Sequence, residues 1–313
     1  MGQERKEEVL ARFRQGQLSL PQLFDQLEES PGEEDQQTEI EAEEVQQVER
    51  ELNQLIGLEK IKKLVAEIKA FVRIQQERKR RQLQAESVVL HMIFKGNPGT
   101  GKTTVARLLG RLFKALGVLE TGQLNEVERA DLVGEYVGHT AQKTKEAIEA
   151  AQGGVLFIDE AYSLARGGKK DFGTEAIDTL VKALEAERQE LIIILAGYPE
   201  EMDYFLQSNP GLKSRFPLQI KFADYTLDQL VKIARIMADR REYKLTAGAE
   251  TKLYTILSKL RAEGGLAAGN ARTVRNIIEQ AVRKQALRLV NKEQLARQQL
   301  IKLTKADLAG INV

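Results

Sequence analysis

The feature that most constrains the fold is a glycine-rich loop placed between an apolar segment and a helical pattern. The loop reads GNPGTGKT from Gly96 to Thr103 and follows the apolar run VVLHMIF. Glycine loosens a chain and proline removes a hydrogen-bond donor, so stability alone would not select them between two buried elements. The pattern therefore predicts that the loop binds a ligand.

The loop matches the phosphate-binding pattern G-x-x-x-x-G-K-[ST] without departure. Between a strand and a helix, such a loop points backbone N–H groups at phosphates, and the helix dipole adds partial positive charge. We expect Lys102 to neutralise β- and γ-phosphate oxygens and the Thr103 hydroxyl to ligate Mg²⁺. A plain glycine turn before a helix leaves the Lys-Thr pair unexplained. The predicted nucleotide contacts in this segment are Asn97, Pro98, Gly99, Thr100, Gly101, Lys102, Thr103 and Thr104.

A pair of carboxylates predicts hydrolysis of the bound nucleotide. The apolar run GVLFI ends in Asp159 and Glu160, and parallel sheets bind ligands at the carboxyl ends of their strands. We expect Asp159 to hold Mg²⁺ and Glu160 to polarise the attacking water. A helix N-cap is the structural alternative for such a pair, but it would leave the nucleotide site without metal ligands. The sequence therefore predicts ATP and Mg²⁺ as cofactors, with Lys102 and Glu160 as catalytic residues.

Apolar β-type segments alternate with helical patterns over residues 52–224, which predicts a doubly wound parallel α/β sheet. Three helical patterns follow over residues 225–313 and predict an all-helical subdomain, with room for a short strand near QQLIKL. Residues 1–51 differ in texture, and we expect a small helical arm followed by an acidic linker. The strand candidates are VVLHMIF, QLNEV, GVLFID, LIIILAG and PLQIKF.

Composition limits the partners and the compartment. The 313 residues carry a net charge of +1 and include no cysteine, which excludes a disulfide framework and cysteine metal sites. A balanced charge favours neither nucleic acid nor acidic partners, and the basic run ERKRRQ fits the C-terminal end of a helix dipole. No apolar run approaches about eighteen residues. We therefore expect a cytoplasmic protein that does not insert into a membrane, and the charge does not favour nucleic acid as its partner.

Longer stretches of the chain resemble a known family. The segments HMIFKGNPGTGKTTVARL, ERADLVGEYVGHTAQKT and LFIDEAYSLARGGKKDFGTE resemble the AAA+ ATPases, in the branch that holds the red-type Rubisco activases and a bacterial sporulation ATPase. The resemblance covers residues 52–308. It implies an AAA+ P-loop ATPase fold with Walker A and Walker B motifs, a helical lid, and assembly into a hexameric homo-oligomer.

The resemblance also implies roles that residue spacing leaves open. It makes Arg215 an arginine finger that reaches into the neighbouring subunit's site. It makes Arg272 the sensor-2 arginine of the lid, with Arg275 as the fallback and a surface salt bridge as the alternative. Ile56 and Gly57 would contact adenine. The sensor-1 position, commonly Asn in the family, holds Tyr198, which departs from the family pattern.

A further resemblance concerns contact with a client. Tyr136 and Val137 lie where the family carries an aromatic loop that lines the central pore, and Lys169 and Lys170 lie where a second pore loop would be. A buried tyrosine is the structural alternative, but the glycines on both sides of this pair favour exposure. An exposed aromatic ring could grip an extended polypeptide without reading its sequence.

The sequence therefore predicts a ring-forming, Mg-ATP-hydrolysing motor that remodels a protein client of unknown identity, and the branch implies a role in endospore formation. Three alternatives stay open: a switch or loader acting on nucleic acid, a red-type Rubisco activase, and a scaffold whose N-terminal arm is the functional part. The balanced charge and the Tyr136 loop speak against the first.

Overall fold

The computed structural model describes residue 12 and residues 33–85, 89–136, 138–166, 171–186, 191–265, 269–292 and 294–311. Val137, the Lys169-Lys170 pair and, except for residue 12, residues 1–32 of the predicted helical arm lie outside these residues. The chain forms two compact units, Met1–Arg50 and Glu51–Val313. The second unit contains both the sheet and the helices that follow it.

A five-stranded parallel sheet forms the centre of the second unit. Its strand order is β2-β3-β4-β1-β5, and β1 pairs with both β4 and β5. β1, β3 and β4 are almost fully buried because helices cover both faces. The predicted doubly wound α/β sheet is confirmed. The strands are β1 Met92–Gly96, β2 Leu124–Val127, β3 Val155–Ile158, β4 Ile192–Gly197 and β5 Leu218–Phe222.

Helices connect these strands and cover the sheet. The first of them to follow the glycine-rich loop, α3, begins at Lys102, directly after the loop, and buries the apolar face that includes Val105, Leu109 and Phe113. A short 3₁₀ helix, Ala161–Ala165, follows the carboxylate pair at the end of β3. The helices are α1 Glu33–Gln54, α2 Glu59–Arg80, α3 Lys102–Ala115, α4 Arg129–Leu132, α5 His139–Ala150, α6 Gly173–Ala186, α7 Pro199–Ser208 and α8 Pro210–Arg215.

The C-terminal part is a lid with its own hydrophobic core. Leu230, Leu253, Ile277 and Leu308 are fully buried in this core. The lid is helical as predicted, with the addition of a small parallel sheet formed by β6 and β7. Its elements are α9 Leu227–Asp239, β6 Lys244–Leu245, α10 Ala247–Ala262, α11 Asn270–Leu289, α12 Arg297–Ile301, β7 Lys302–Leu303 and a 3₁₀ helix Lys305–Leu308.

The predicted boundary between arm and sheet lies inside a helix. α1 runs without a break to Gln54, whereas we expected a partly helical linker ending near residue 51. The three-part division of the chain stays a prediction. Among the described residues, no helix combines the length and the apolar character needed to cross a membrane.

Candidate functional site

A cavity of about 470 Å³ lies at the carboxyl ends of the central strands, where the lid meets the sheet. It brings together the glycine-rich loop after β1, the carboxylates after β3, the residue after β4, and one face each of α9 and α11. The lining includes these predicted site residues: Ile56, Pro98, Gly99, Gly101, Lys102, Thr103, Thr104, Asp159, Glu160, Tyr198, Arg272 and Arg275.

The loop has the backbone that its sequence predicts. Gly99 and Gly101 have φ values of 70° and 99°, in the left-handed region that glycine adopts most readily. Gly99 also has no room for a side chain, because a Cβ there would collide with the carbonyl oxygen of Gly269 in the lid. The loop is therefore shaped both for an approaching ligand and for close contact with the lid.

The Lys102 ammonium folds back onto the loop. Its Nζ donates to the backbone oxygens of Gly96 and Asn97, at 2.7 and 3.0 Å. Burial lowers the pKa of Lys102, and Arg272 lowers it further, while Asp159 and Glu160 act in the opposite direction. A partly desolvated cation among these groups is well placed to pair with phosphate oxygens, because low solvent exposure strengthens such pairing.

Glu160 carries its carboxylate on a strained backbone. Its φ and ψ are 46° and 41°, a left-handed conformation that costs a non-glycine residue about 1–2 kcal/mol. The Glu160 N–H donates to Asp159 Oδ1 at 2.9 Å, and the Glu160 carbonyl accepts from Ser163 N at 2.7 Å. These two bonds hold the turn at which β3 ends and the 3₁₀ helix begins.

Tyr162 is a site residue that sequence reasoning missed. Burial, followed by the nearby negative charge of Glu160, raises the pKa of Tyr162 to about 12. The Arg166 guanidinium lies 4.6 Å from the centre of the Tyr162 ring, and the Tyr198 ring lies 6.0 Å away. Tyr162 therefore remains protonated near neutral pH and can donate to the carboxylate.

The predicted magnesium ligands supply a suitable donor set. Thr103 Oγ1 lies 3.4 Å from Glu126 Oε1, and Thr103 and Asp159 line the same cavity. A hydroxyl and a carboxylate are hard oxygen ligands, and Mg²⁺ is commonly held by few protein ligands together with phosphate oxygens and water. Thr103 and Asp159 therefore fit the ion, which would neutralise charge on the phosphates when bound.

Part of the cavity wall is apolar and suits a flat base. Besides Ile56 and Leu58 before α2, it is lined by Ile233, Ile236 and Met237, whose spacing places them on one face of α9. These lid residues were not predicted as site residues, although their helical spacing is visible in the sequence. Tyr225 also lines this cavity, where burial raises its pKa to about 12.

Some predicted residues do not line the cavity. Of the described residues, Gly57, Asn97 and Thr100 contribute no part of its wall. The Asn97 side chain instead donates to Asp224, at 2.9 and 3.0 Å to its two carboxylate oxygens. Conversely, Arg107 and Arg240 line the cavity and were not predicted to do so.

Arg215 and Tyr136 also lie apart from this cavity. Arg215 ends α8, where its Nη1 donates to the carbonyl of Gly211 at 2.7 Å. Among the described residues, it does not belong to those that line the cavity. Tyr136 is 66% exposed, and its ring packs edge-on against His139 at 5.6 Å. Tyr136 is therefore not part of the hydrophobic core.

Comparisons with known proteins agree with this geometry. Residues 92–223 match the family model "ATPase family associated with various cellular activities (AAA)", and residues 226–312 match the AAA lid domain. Stage V sporulation protein K of Bacillus subtilis (strain 168) is 52% identical over 261 residues, covering 83% of this chain and 81% of that protein.

A second relative and a solved structure extend the comparison. The chloroplastic ribulose bisphosphate carboxylase/oxygenase activase of Cyanidioschyzon merolae is 42% identical over 259 residues, covering 82% of this chain and 86% of the activase. The AAA domain of FIGL-1 in complex with ADP superimposes with a TM-score of 0.54 at 18% identity, over 82% of this chain and 81% of that one; this likeness concerns the fold alone.

Identity at this level over most of both chains confirms the family resemblance read from the sequence. The chain hydrolyses ATP, as the family model and the ATPase relatives show. It belongs to the AAA+ ATPases, in the branch that includes stage V sporulation protein K and the Rubisco activases.

Proposed function

We propose that this protein is a hexameric ring motor of the cytoplasm, which uses Mg²⁺-dependent ATP hydrolysis to remodel a protein client through a central pore during endospore formation. The observation that carries the proposal is the division of the predicted catalytic set. The cavity gathers the phosphate loop, the carboxylates and the lid arginines, while Arg215 lies outside it. A neighbouring copy would then supply the missing cation.

Within one subunit, the residues around the cavity divide the work of hydrolysis. The loop amides bind the phosphates and Lys102 neutralises their charge. Thr103 and Asp159 would hold Mg²⁺. Glu160 polarises and orients the attacking water, and the protonated phenol of Tyr162 lies close enough to feel the charge of that carboxylate.

Arg215 would complete the site of the next subunit. Phosphoryl transfer spreads charge over the transferred group, and an arginine supplied from another chain raises the rate by about 10³–10⁵. The position of Arg215 at the end of a short helix, on the connection that leads into β5, supports this role. A ring is the arrangement in which every subunit can both give and receive such an arginine.

The exposure of Tyr136 supports a polypeptide client. An exposed ring on the segment between β2 and α5 can contact an extended chain by stacking and apolar contact. The endospore role is supported by the relative named stage V sporulation protein K. A second candidate is Rubisco activation, which the relative from Cyanidioschyzon merolae favours.

Client capture tests the proposal. The Glu160→Gln variant should bind ATP and assemble, yet hydrolyse ATP at least about a hundredfold more slowly, because the amide cannot polarise the water. We would trap this variant with ATP and Mg²⁺ in a lysate of sporulating cells and identify the bound proteins by mass spectrometry. A Glu160→Gln/Tyr136→Ala double variant is the matched control.

The outcomes separate the candidate functions. Enrichment of a protein that the Tyr136→Ala control does not retain supports remodelling. Specific retention of Rubisco from a lysate that contains it would instead favour the activase. Recovery of nucleic acid that is lost on nuclease treatment would contradict the protein-client proposal, as would near-normal turnover by Glu160→Gln.

A further inference from the structure

Three polar side chains from distant parts of the chain meet beside the phosphate loop. Asn97 belongs to the loop, Asp224 to the linker between β5 and α9, and Asn270 is the first residue of α11. Asn97 Nδ2 donates to both carboxylate oxygens of Asp224, at 2.9 and 3.0 Å, and Asn270 Nδ2 donates to Asp224 Oδ1 at 2.9 Å. One carboxylate thus joins the loop to the lid.

Asn270 is fully buried, and both ends of its amide are used. Its Oδ1 accepts from the backbone N–H of Tyr225 at 3.1 Å, and its Nδ2 also lies 3.4 Å from the carbonyl oxygen of Pro98. Its φ is 43°, a left-handed conformation that glycine or asparagine adopts most easily. Glycine would satisfy this backbone alone, so the amide side chain has a further use.

The backbone contacts lie in the same place. Ala271 N donates to the carbonyl oxygen of Gly99 at 3.2 Å, and the Tyr225 phenol donates to the carbonyl oxygen of Thr100 at 3.1 Å. The start of α11 therefore packs directly against the phosphate loop. Arg272 lies two residues further along this helix and lines the cavity. Its position relative to the phosphates therefore depends on the contact between α11 and the phosphate loop.

We propose that Asn270 is a positioning residue, which fixes Arg272 against the phosphate loop through its bonds to Asp224, Tyr225 and Pro98. The inference rests on the proposed function, in which Arg272 is the sensor-2 arginine of the lid. Asn270 itself does not touch the reacting atoms. Misplacing a group by about 1 Å can cost roughly a hundredfold in rate. We therefore expect the contact between α11 and the phosphate loop to affect kcat more than the affinity for ADP.

A reciprocal exchange of side chains tests the contact. Asn270→Asp keeps the shape but sets a carboxylate against the Asp224 carboxylate, which removes the bond and adds repulsion. Asp224→Asn retains an oxygen that can accept from both asparagines. In the Asn270→Asp/Asp224→Asn double variant the donor and acceptor exchange places, so the bond between positions 224 and 270 can form again and Asn97 can donate to the amide oxygen at position 224. The bond to the Pro98 carbonyl is not restored, because a carboxylate at position 270 has no donor. The net charge of the chain is unchanged.

We expect Asn270→Asp to lower kcat roughly tenfold to a hundredfold. The affinity for a fluorescent ADP analogue should stay within about threefold of the wild-type value. Asp224→Asn and the double variant should each keep kcat within about threefold of wild type. If Asn270→Asp does not fold, Asn270→Gly replaces it, because glycine accepts the backbone conformation while removing the bonds. Thermal unfolding of every variant checks the fold.

Combination with Arg272→Ala identifies the route of the effect. If Asn270 acts through Arg272, Asn270→Asp should lower kcat little further once Arg272 is removed. Multiplicative effects, or failure of Asp224→Asn to restore the activity of Asn270→Asp, would overturn the inference. Normal turnover by Arg272→Ala would instead remove the proposed role of that arginine, and with it the basis of the inference. An activity loss that follows only a lowered melting temperature would assign Asn270 a purely structural role.

Discussion

Glu160 combines a strained backbone with the carboxylate assigned to catalysis. The left-handed conformation aims the side chain into the cavity from the end of β3, and neighbouring bonds to Asp159 and Ser163 hold it there. Strain of this kind persists only where the surrounding structure fixes it, and it is concentrated at functional sites. The fold therefore gives up some stability at this position.

This strain can be measured by comparing two variants that both lack the carboxylate. Glu160→Gly should be more stable than Glu160→Ala by about 1 kcal/mol, because glycine adopts the left-handed conformation without a steric penalty. Both variants should lose ATP hydrolysis. Chemical denaturation of the nucleotide-free proteins gives the difference in free energy of unfolding. Equal stability, or a more stable alanine variant, would show that the backbone at residue 160 is not strained.

At the scale of single residues, the sequence predicts those parts of the site that a contiguous motif carries. Five of the eight residues of the GNPGTGKT loop and both carboxylates of the Asp159-Glu160 pair line the cavity. Tyr162 and Tyr225 could not be identified in this way, because aromatic residues beside a strand are usually core residues. Their use depends on which atoms face Glu160 and the loop, and local pattern does not determine that.

At the scale of elements, nearly continuous apolar runs predicted β1, β3 and β4, because covered parallel strands are apolar on both faces. The first run begins earlier than the strand does, since β1 starts at Met92 and the buried Leu90 and His91 precede it. β6 was not predicted, because two residues are too few to show an alternating pattern. Its partner β7 lies within the QQLIKL segment, where a strand was expected.

An ion pair with a buried carboxylate connects two elements of the lid. Arg288 of α11 donates to both carboxylate oxygens of Asp307, at 2.7 and 2.9 Å, and Thr304 donates to Asp307 Oδ2. Asp307 is only 1% exposed. Burial raises the pKa of Asp307, but the bonds from Arg288 and Thr304 outweigh burial and hold the pKa below its ordinary value.

The pH dependence of lid stability follows from this direction. A lowered folded-state pKa means that the stabilisation is complete above the ordinary carboxyl pKa of about 4 and is lost as pH falls through the lower folded value. Asp307→Asn should therefore destabilise the protein at pH 7 by about 1–3 kcal/mol. The difference from wild type should shrink at acidic pH. Denaturant unfolding at several pH values measures both effects. If the difference in free energy of unfolding between wild type and Asp307→Asn did not change with pH, the ionisation of Asp307 would not contribute to lid stability.

At the scale of the whole molecule, contacts between distant segments complete the nucleotide site. The Asn97–Asp224–Asn270 contact joins the loop, the linker and the lid, which lie far apart in sequence. No local sequence pattern shows which distant residues meet. The sequence therefore predicted a lid but not its contacts with the phosphate loop. The site that Arg215 contacts could not be predicted for a similar reason, since its proposed partner lies in another copy of the chain.

Mixing two inactive variants tests that last step. Lys102→Ala should not bind ATP but keeps Arg215, whereas Arg215→Ala binds ATP but lacks the arginine. In randomly mixed rings, an Arg215→Ala site beside a Lys102→Ala subunit should regain hydrolysis. An equal mixture should reach up to about a quarter of the wild-type rate, because a site must meet both conditions.

The matched control replaces Lys102→Ala with the Lys102→Ala/Arg215→Ala double variant, which can neither bind ATP nor donate an arginine. Its mixture with Arg215→Ala should stay inactive at the same total concentration. An inactive first mixture, in rings shown by analytical ultracentrifugation to contain both variants, would mean that Arg215 does not act across subunits. Equal activity of the two mixtures would locate the stimulating group elsewhere than at Arg215, because the control differs only in that side chain.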